Sequence, residues 1–373
     1  MSDVITRRAD VDAKQAILGR ILDELACEAA ILLVPAHVAW FTCGMNLRGL
    51  YTESERPGLF VNGKMRWLVC CNVDTQRLFD EELDGLGFMV KEWAWPSGRA
   101  QLLAELAVNK KMASDRPFPN MPLMVDRLRN EARPLFPSDR PRLGLLGENL
   151  AHALEATART LKPGDTEAEV AGQLAHRLYA RGADVQSISV TADDRATLYR
   201  RAGYQAVRIE RFALLQVSAM DRGLHATAGR MVSFGEPPAE LREAIDAACR
   251  ISAVFRANSK PGGNITAAIE AGYKLVKATP LEFDWRHSAP GYGSGWFPAE
   301  DLRRVGVDDP FVDGQTLVWQ ARLGAAAVVD TVVVHANGGL NVTRPGDWPQ
   351  KRITIDGKTY AIPDVLVRTE SAD

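Results

Sequence analysis

The first 140 residues alternate short apolar runs with segments of helical periodicity. Segment 13–29 has apolar residues at helical spacing, and an apolar run ending at Gly44 predicts a strand. Two further apolar runs flank Asn62 and Gly63, a dipeptide typical of a tight β-hairpin turn. Strands that alternate with helices in this way predict an α/β domain of about 135 residues.

The pattern changes after the proline-rich and charged stretch 132–142, which is the best candidate for a domain boundary. Two helices follow, and Thr166 with Glu169 forms a capping box at the start of the second one. Further on, the chain predicts long strands, two more helices and strands again. Helix pairs followed by antiparallel strands predict an α+β domain, and we expect the domains to span 1–138 and 139–373.

Composition narrows the functional classes. The 373 residues include 45 Lys and Arg against 47 Asp and Glu, a formal charge of −2. This balance argues against nucleic acid as a partner. No apolar stretch is long enough for a membrane helix, and the polar N-terminus lacks the apolar core of a signal peptide. With five scattered cysteines and no C-x-x-C pair, the expectation is a reduced cytoplasmic protein.

The order of motifs in the second half resembles the creatinase/prolidase/aminopeptidase P (M24) family, whose fold is called pita-bread. The resemblance rests on these segments: LKPGDTEAEVAGQLAHRLYARGAD, RFALLQVSAMDRGLHATAGRMVSFG, APGYGSG, QTLVWQARL and VVDTVVVHANGGLNVT. The first half is similar to the small N-terminal domain of prolidases and creatinase, through AWFTCGMN and ERP. The resemblance implies an α/β N-terminal domain plus an α+β pita-bread (creatinase/aminopeptidase-like) C-terminal domain.

Metallopeptidases of this family hold two metal ions with two Asp, one His and two Glu. By strand order, these positions carry Gln216, Thr227, Gln320 and Val329, while the His position falls on or near Pro290. Neutral amides, a hydroxyl and an aliphatic group are poor ligands for such ions. The resemblance therefore implies a divergent member with no metal and no other cofactor.

Two histidines remain for acid–base chemistry. His225 lies two residues before Thr227 in a predicted strand, so both side chains face the same side. It is a candidate general base or acid, or else a histidine hydrogen-bonded for stability. His287 lies just before the Gly-rich loop that lines the active site of the family, and it is the second catalytic candidate.

Five further residues are candidate substrate contacts in the second half, if Thr227 is included. Gln216 and Gln320 can orient a carboxylate or an amide, or can be satisfied core amides. Arg322 shares a face with Gln320 and could bind a carboxylate or pair with a nearby acid. Trp319 could line the cleft, although most tryptophans belong to the core.

In the first half, Arg48 and Arg56 lie where the small domain of the family reaches an active site, which can be that of the neighbouring subunit. The resemblance implies that one of them caps a ligand carboxylate in a homodimer. The alternative is an exposed loop in which Glu53 and Glu55 pair with these arginines.

The leading hypothesis is a metal-independent, creatinase-like hydrolase that cleaves a C–N bond of a small amino-acid-like or amide metabolite. The alternative is a non-catalytic pseudo-peptidase that binds a peptide or metabolite in the former metal pocket. A third possibility is a metallopeptidase with a shifted ligand set: His225, His287, Asp330 and Glu300. The sequence does not name the substrate.

Overall fold

The computed structural model describes residues 2–47, 52, 54–297 and 309–369. Contacts divide the chain into two compact units. One comprises Met1–Pro141 with Arg222–Leu224, and the other comprises Arg142–Asp221 with His225–Asp373. The predicted boundary between residues 138 and 139 coincides with the start of a long helix at Asp139 and stays a prediction.

The first unit contains a mixed five-stranded sheet. Its strands are β1 (Ala29–Leu32), β2 (Gly58–Val61), β3 (Arg66–Cys71), β4 (Met89–Trp93) and β5 (Met112–Ser114), in the order β4-β3-β2-β1-β5. Its helices are α1 (Ser2–Glu24), α2 (Pro35–Phe41), α3 (Thr75–Arg77) with a π-helical continuation (Leu78–Leu83), α4 (Arg99–Ala107) and α5 (Val125–Glu131). The predicted hairpin is confirmed, because β2 pairs antiparallel with β3 across Asn62 and Gly63.

Two predictions for this unit are wrong in detail. The apolar run ending at Gly44 is not one strand, because Pro35 lies at the first turn of α2, where its fixed φ favours a helix. The helix predicted over 13–29 begins at Ser2 and ends at Glu24. Its polar first half lacks a clear apolar stripe, so periodicity alone could not detect it.

The second unit contains an eight-stranded sheet and a separate hairpin. The sheet strands are β6 (Asp184–Ala192), β7 (Phe212–Asp221), β8 (Leu224–Phe234), β9 (Gly291–Gly293), β10 (Thr316–Leu323), β11 (Ala326–Val333), β12 (Leu340–Asn341) and β15 (Leu366–Arg368). They run in the order β6-β7-β8-β11-β10-β9, with β12 beside β11 and β15 beside β8. The hairpin consists of β13 (Gln350–Ile355) and β14 (Lys358–Pro363).

The helices of this unit are α6 (Asp139–Thr160), α7 (Glu167–Tyr179), α8 (Asp193–Leu198), α9 (Ala239–Asn258), α10 (Ile265–Tyr273) and α11 (Glu282–Trp285). The capping box is confirmed: Glu169 N–H donates to Thr166 Oγ1, and the Glu169 carboxylate accepts from the Thr166 N–H. None of the helices in the described ranges is both long and apolar enough to cross a membrane.

The core of the second unit forms where α9 packs on β10 and β11. Phe255 of α9 stacks on Trp319 of β10, with ring centroids 4.5 Å apart. The Trp319 Nε1–H donates to the Ser259 hydroxyl at 2.9 Å. Helices on a largely antiparallel sheet, joined to a separate mixed α/β unit, agree with the fold class that the sequence predicts.

Candidate functional site

One face of the large sheet carries positions at which the resemblance places metal ligands of the family. In the β10–β11 pair, Gln320 lies directly opposite Val329. A Cβ placed on Gly229 of β8 would lie 3.2 Å from the Val329 Cβ, so both residues point to this face. Thr227 lies two residues before Gly229 and therefore points the same way.

Hydrogen bonds extend this face onto two more strands. Thr227 Oγ1 donates to Ser218 Oγ of β7 at 3.0 Å, and Gln216 lies two residues before Ser218 on the same side. The Tyr292 hydroxyl of β9 donates to Thr227 Oγ1 at 3.1 Å. We call the following set the amide–hydroxyl face: Gln216, Ser218, Thr227, Tyr292 and Gln320.

The two carboxamides of this face are available to a ligand. Gln216 and Gln320 are each partly exposed, and neither side chain makes a hydrogen bond to any other residue in the described ranges. Each carboxamide offers two N–H donors and one carbonyl acceptor. Satisfied core amides would have partners, so this geometry favours the ligand-contact interpretation over the core interpretation.

The three hydroxyls form a directed chain from Tyr292 through Thr227 to Ser218. Burial raises the pKa of Tyr292, while the hydrogen bond to Thr227 and the positive charge of Arg201 act in the opposite direction. The phenol is thus a neutral hydrogen-bond donor near pH 7, and the chain of hydroxyls is polar but uncharged.

The residues present do not fit the two metal ions of the family. No carboxylate stands at the positions of Gln216, Thr227, Gln320 or Val329, whereas divalent ions in such sites need anionic oxygens. Among the described residues, no three His, Cys, Asp or Glu side chains are grouped so that they could hold a metal. The shifted ligand set fails for Asp330, which lies opposite Trp319 and away from Gln320.

His225 lies at the start of β8, two residues from Thr227, and is buried. Its Nδ1 lies 3.2 Å from the carbonyl oxygen of Gly295. Because a carbonyl can only accept, Nδ1 is the donor in this contact. The strand spacing places His225 about 7 Å along β8 from Thr227.

His287 lies just after α11 and is exposed. Its Nδ1 is 3.0 Å from the carbonyl oxygen of Phe283, and its ring packs against the Phe283 ring. These contacts lie within its own turn of chain. Among the described residues, the structure does not bring His287 together with the amide–hydroxyl face.

Trp319 lies on the opposite side of the sheet from Gln320. The two are neighbours in one strand, and adjacent strand residues point to opposite faces. Trp319 is buried against Phe255 and hydrogen-bonded to Ser259. The expectation that Trp319 and Gln320 share a cleft is therefore corrected: the indole is part of the core.

Arg322 does share a side with Gln320, but its guanidinium is already occupied. It is buried and donates to the carbonyl oxygens of Ala196, Tyr199 and Arg200 at 3.1, 2.8 and 2.9 Å. Burial, with the charge of Arg200 as the smaller cause, lowers the pKa of Arg322 to about 10. This geometry gives Arg322 a structural role and leaves its predicted contact with a ligand without support.

The two arginines predicted in the first half have different outcomes. Arg48 lies outside the described residues. Arg56 lies just before β2 in the first unit, where its carbonyl accepts a hydrogen bond from Arg99 at 2.6 Å. The prediction that either residue caps a ligand carboxylate stays a prediction.

Sequence reasoning missed two members of the face. Ser218 could have been found, because it lies two residues after Gln216 in a predicted strand. Tyr292 lies in the stretch PGYGSG, where the glycines drew attention and a strand of three residues gives no periodicity. Its contact with Thr227 depends on the pairing of Tyr292 with Val318, which sequence spacing does not encode.

The fold and the position of this face define the class: a two-unit protein with a pita-bread C-terminal part. The dipeptidase PepE of Mycobacterium ulcerans superposes with a TM-score of 0.76 at 18% identity, covering 97% of this chain and 99% of that one. The Xaa-Pro dipeptidase of Bacillus anthracis gives 0.74 at 15% identity, covering 96% and 100%. The N-terminal domain of the FACT complex subunit SPT16 from chickpea, Cicer arietinum, gives 0.67 at 11%, covering 92% and 97%.

The family follows from the sequence itself. The model of metallopeptidase family M24 matches residues 146–303, so this segment belongs to that family. The recognition of a divergent creatinase/prolidase/aminopeptidase P relative is confirmed. A comparison with curated protein sequences finds no match.

Proposed function

We propose that this chain is a metal-independent hydrolase that cleaves a C–N bond of a small amide-bearing, amino-acid-like metabolite. The observation that carries the proposal is a pair of carboxamides, Gln216 and Gln320, at former metal-ligand positions and without a hydrogen-bond partner among the described residues. Relaxed selection would tend to fill such a space with apolar side chains, as at Val329. Two amides and three hydroxyls instead offer an ordered set of donors and acceptors.

The two amides would bind the reacting group. A carboxamide N–H can donate to a carbonyl oxygen of the ligand and can strengthen that bond as negative charge develops on the oxygen. The carbonyl oxygens of the same amides can accept from an N–H of the ligand. This set of donors and acceptors suits a neutral amide better than a guanidinium. The face contains no carboxylate that could pair with a cationic ligand.

His225 would supply the proton transfer. Its Nε2 would take a proton from water as the water oxygen bonds to the carbonyl-type carbon of the ligand. The same proton would pass to the leaving nitrogen as the C–N bond breaks, which returns His225 to its neutral form. The Nδ1 contact with the Gly295 carbonyl would hold the ring in the required tautomer throughout.

A second candidate is a non-catalytic protein that binds a peptide or metabolite on the same face. It is favoured by the neutrality of the face, whose five side chains include no strong acid or base. The similarity to a FACT complex subunit also places a protein not named as a peptidase among the solved relatives. Both candidates share the binding set and differ only in turnover.

The test is incubation of the chelator-treated protein with a deproteinised extract of small metabolites, followed by mass spectrometry. We expect the protein to consume many molecules of one species per chain while a product rises. A variant with Gln216→Leu and Gln320→Leu should leave that species unchanged. Depletion that stops near one molecule per chain would replace the hydrolase by the binding protein, and no depletion would contradict both. Homodimeric assembly and a cytoplasmic location remain part of the proposal.

A further inference from the structure

Three arginines lie between residues 195 and 201, within and just after α8, and two of them have acidic partners. Arg195 pairs with Glu167 at 3.1 Å, and Arg200 pairs with Asp284 at 2.5 Å. Arg201 is exposed and makes no ion pair or hydrogen bond with any other residue in the described ranges. An exposed guanidinium without an acidic partner can bind the anionic group of a ligand.

Arg322 fixes this segment above the sheet. Its guanidinium donates to three carbonyls in and just after α8, those of Ala196, Tyr199 and Arg200. Arg322 lies two residues from Gln320 and points to the same side as the amide–hydroxyl face. The carbonyl that it holds at 2.9 Å belongs to Arg200, the residue immediately before Arg201.

The charge of Arg201 also influences the pKa of Tyr292. Among the described residues, the charge of Arg201 is the one that acts on the Tyr292 hydroxyl. Tyr292 in turn donates to Thr227, the central member of the hydroxyl chain. The placement itself follows from geometry: Arg201 directly succeeds Arg200, whose carbonyl is held by Arg322 on the side of the sheet that carries Gln320.

We infer that Arg201 selects ligands that carry a carboxylate beside their amide, and that Arg322 is the positioning residue that holds Arg201 there. This inference rests on the proposed function, because it assigns the charge of the ligand bound at the amide–hydroxyl face. The contact with a ligand carboxylate that the sequence suggests for Arg322 is thereby assigned to Arg201. Arg322 binds backbone carbonyls, and the exposed Arg201 binds the anion.

The test compares two probes by isothermal titration calorimetry. N-acetylglycine carries a free carboxylate, whereas N-acetylglycinamide carries a neutral carboxamide in its place. We expect the wild-type protein to bind the acid about tenfold more tightly than the amide, as for one charge-assisted contact. Arg201→Gln should bring the two affinities together without weakening the binding of the amide.

Arg208→Gln is the matched control. Arg208 lies on the same loop, but its guanidinium donates to the Gly164 carbonyl at 2.9 Å. This variant should keep the preference for the acid. If Arg201→Gln also keeps the preference, or if the wild-type protein shows none, the inference is overturned while the binding site stands. If neither probe binds the wild-type protein, the proposed ligand class fails, and the inference fails with it.

The role of Arg322 needs a readout that general destabilisation would not change. Arg322→Met should lose the preference for the acid while still binding the amide, whereas a merely structural role would lower the melting temperature and leave the ratio intact. Because Arg322 acts through Arg201, the double variant should lose no more of the preference than Arg201→Gln alone. A further loss in the double variant would show that Arg322 does not act through Arg201.

Discussion

Replacing Arg230 with methionine is expected to lower the free energy of unfolding by about 3–5 kcal/mol. Arg230 is fully buried between two buried carboxylates, those of Glu155 and Asp330. The contacts are 3.5 Å from Nε to Glu155 and 3.1 Å from Nη1 to Asp330. Methionine fills much of the same volume but removes the cation, so two buried acids would lose the guanidinium that contacts both of them. Urea denaturation of the two proteins measures the difference.

The stability that Arg230→Met loses should increase as the pH rises. Burial already raises the pKa of Glu155, and Arg230 is the largest influence that opposes this rise. Without the guanidinium, the folded protein binds a proton at Glu155 more strongly than the unfolded chain does. A carboxyl group whose pKa is raised by folding loses stability as the pH climbs from its unfolded pKa to its folded pKa. The variant should therefore be least stable above that range.

Arg242→Met is the control for this experiment. Arg242 also contacts two acids, Asp364 at 2.9 Å and Asp246 at 3.4 Å, but about a third of its side chain is exposed. Exposed pairs of this kind contribute up to about 1 kcal/mol. A loss below about 1 kcal/mol for Arg230→Met as well would contradict the account of a buried, mutually dependent triad.

The second large effect is expected at His225. His225→Asn should lower the turnover of the metabolite that the wild-type protein consumes by about 10²- to 10⁴-fold, the range for loss of a general base. Asparagine places an amide N–H near the former Nδ1, so the contact with the Gly295 carbonyl can persist while the base is removed. Steady-state rates at several substrate concentrations separate this loss from weaker binding.

Two other histidines provide the controls. His287→Gln and His152→Gln change exposed side chains outside the amide–hydroxyl face, and both variants should turn over like the wild-type protein. Comparable loss in His287→Gln would restore the second catalytic candidate of the sequence analysis. If His225→Asn keeps wild-type turnover, the base is another group and the proposed proton transfer is wrong.

The sequence predicted the fold well because its motifs report on local structure. The capping box at Thr166, the hairpin at Asn62 and the long apolar strands each depend on neighbours within a few residues. The helix at Pro35 was missed because an apolar run of that length fits a strand equally well, and only the proline marks its start. Short elements such as α11 and β9 carry too few residues for any periodicity.

The site was predicted less completely, for a different physical reason. The alternation of side chains in a strand places Thr227 with His225 and Gln320 with Arg322, and the structure agrees. The same rule excludes Trp319 from the side of Gln320, so this correction was already available in the sequence. The carbonyls that Arg322 holds and the hydroxyl that Tyr292 donates depend on loops whose paths no spacing rule determines.

The central claim is that this pita-bread site works without metal because its residues no longer supply anionic ligands. The most direct measurement is elemental analysis after incubation with excess Mn²⁺, Co²⁺ or Zn²⁺ and removal of the unbound ions. The neutral donor set predicts far less than about one ion per chain, against about two for a di-metal site. Binding of about two ions per chain that survives desalting would contradict the account, since it would require a ligand set other than the one at Gln216, Thr227 and Gln320.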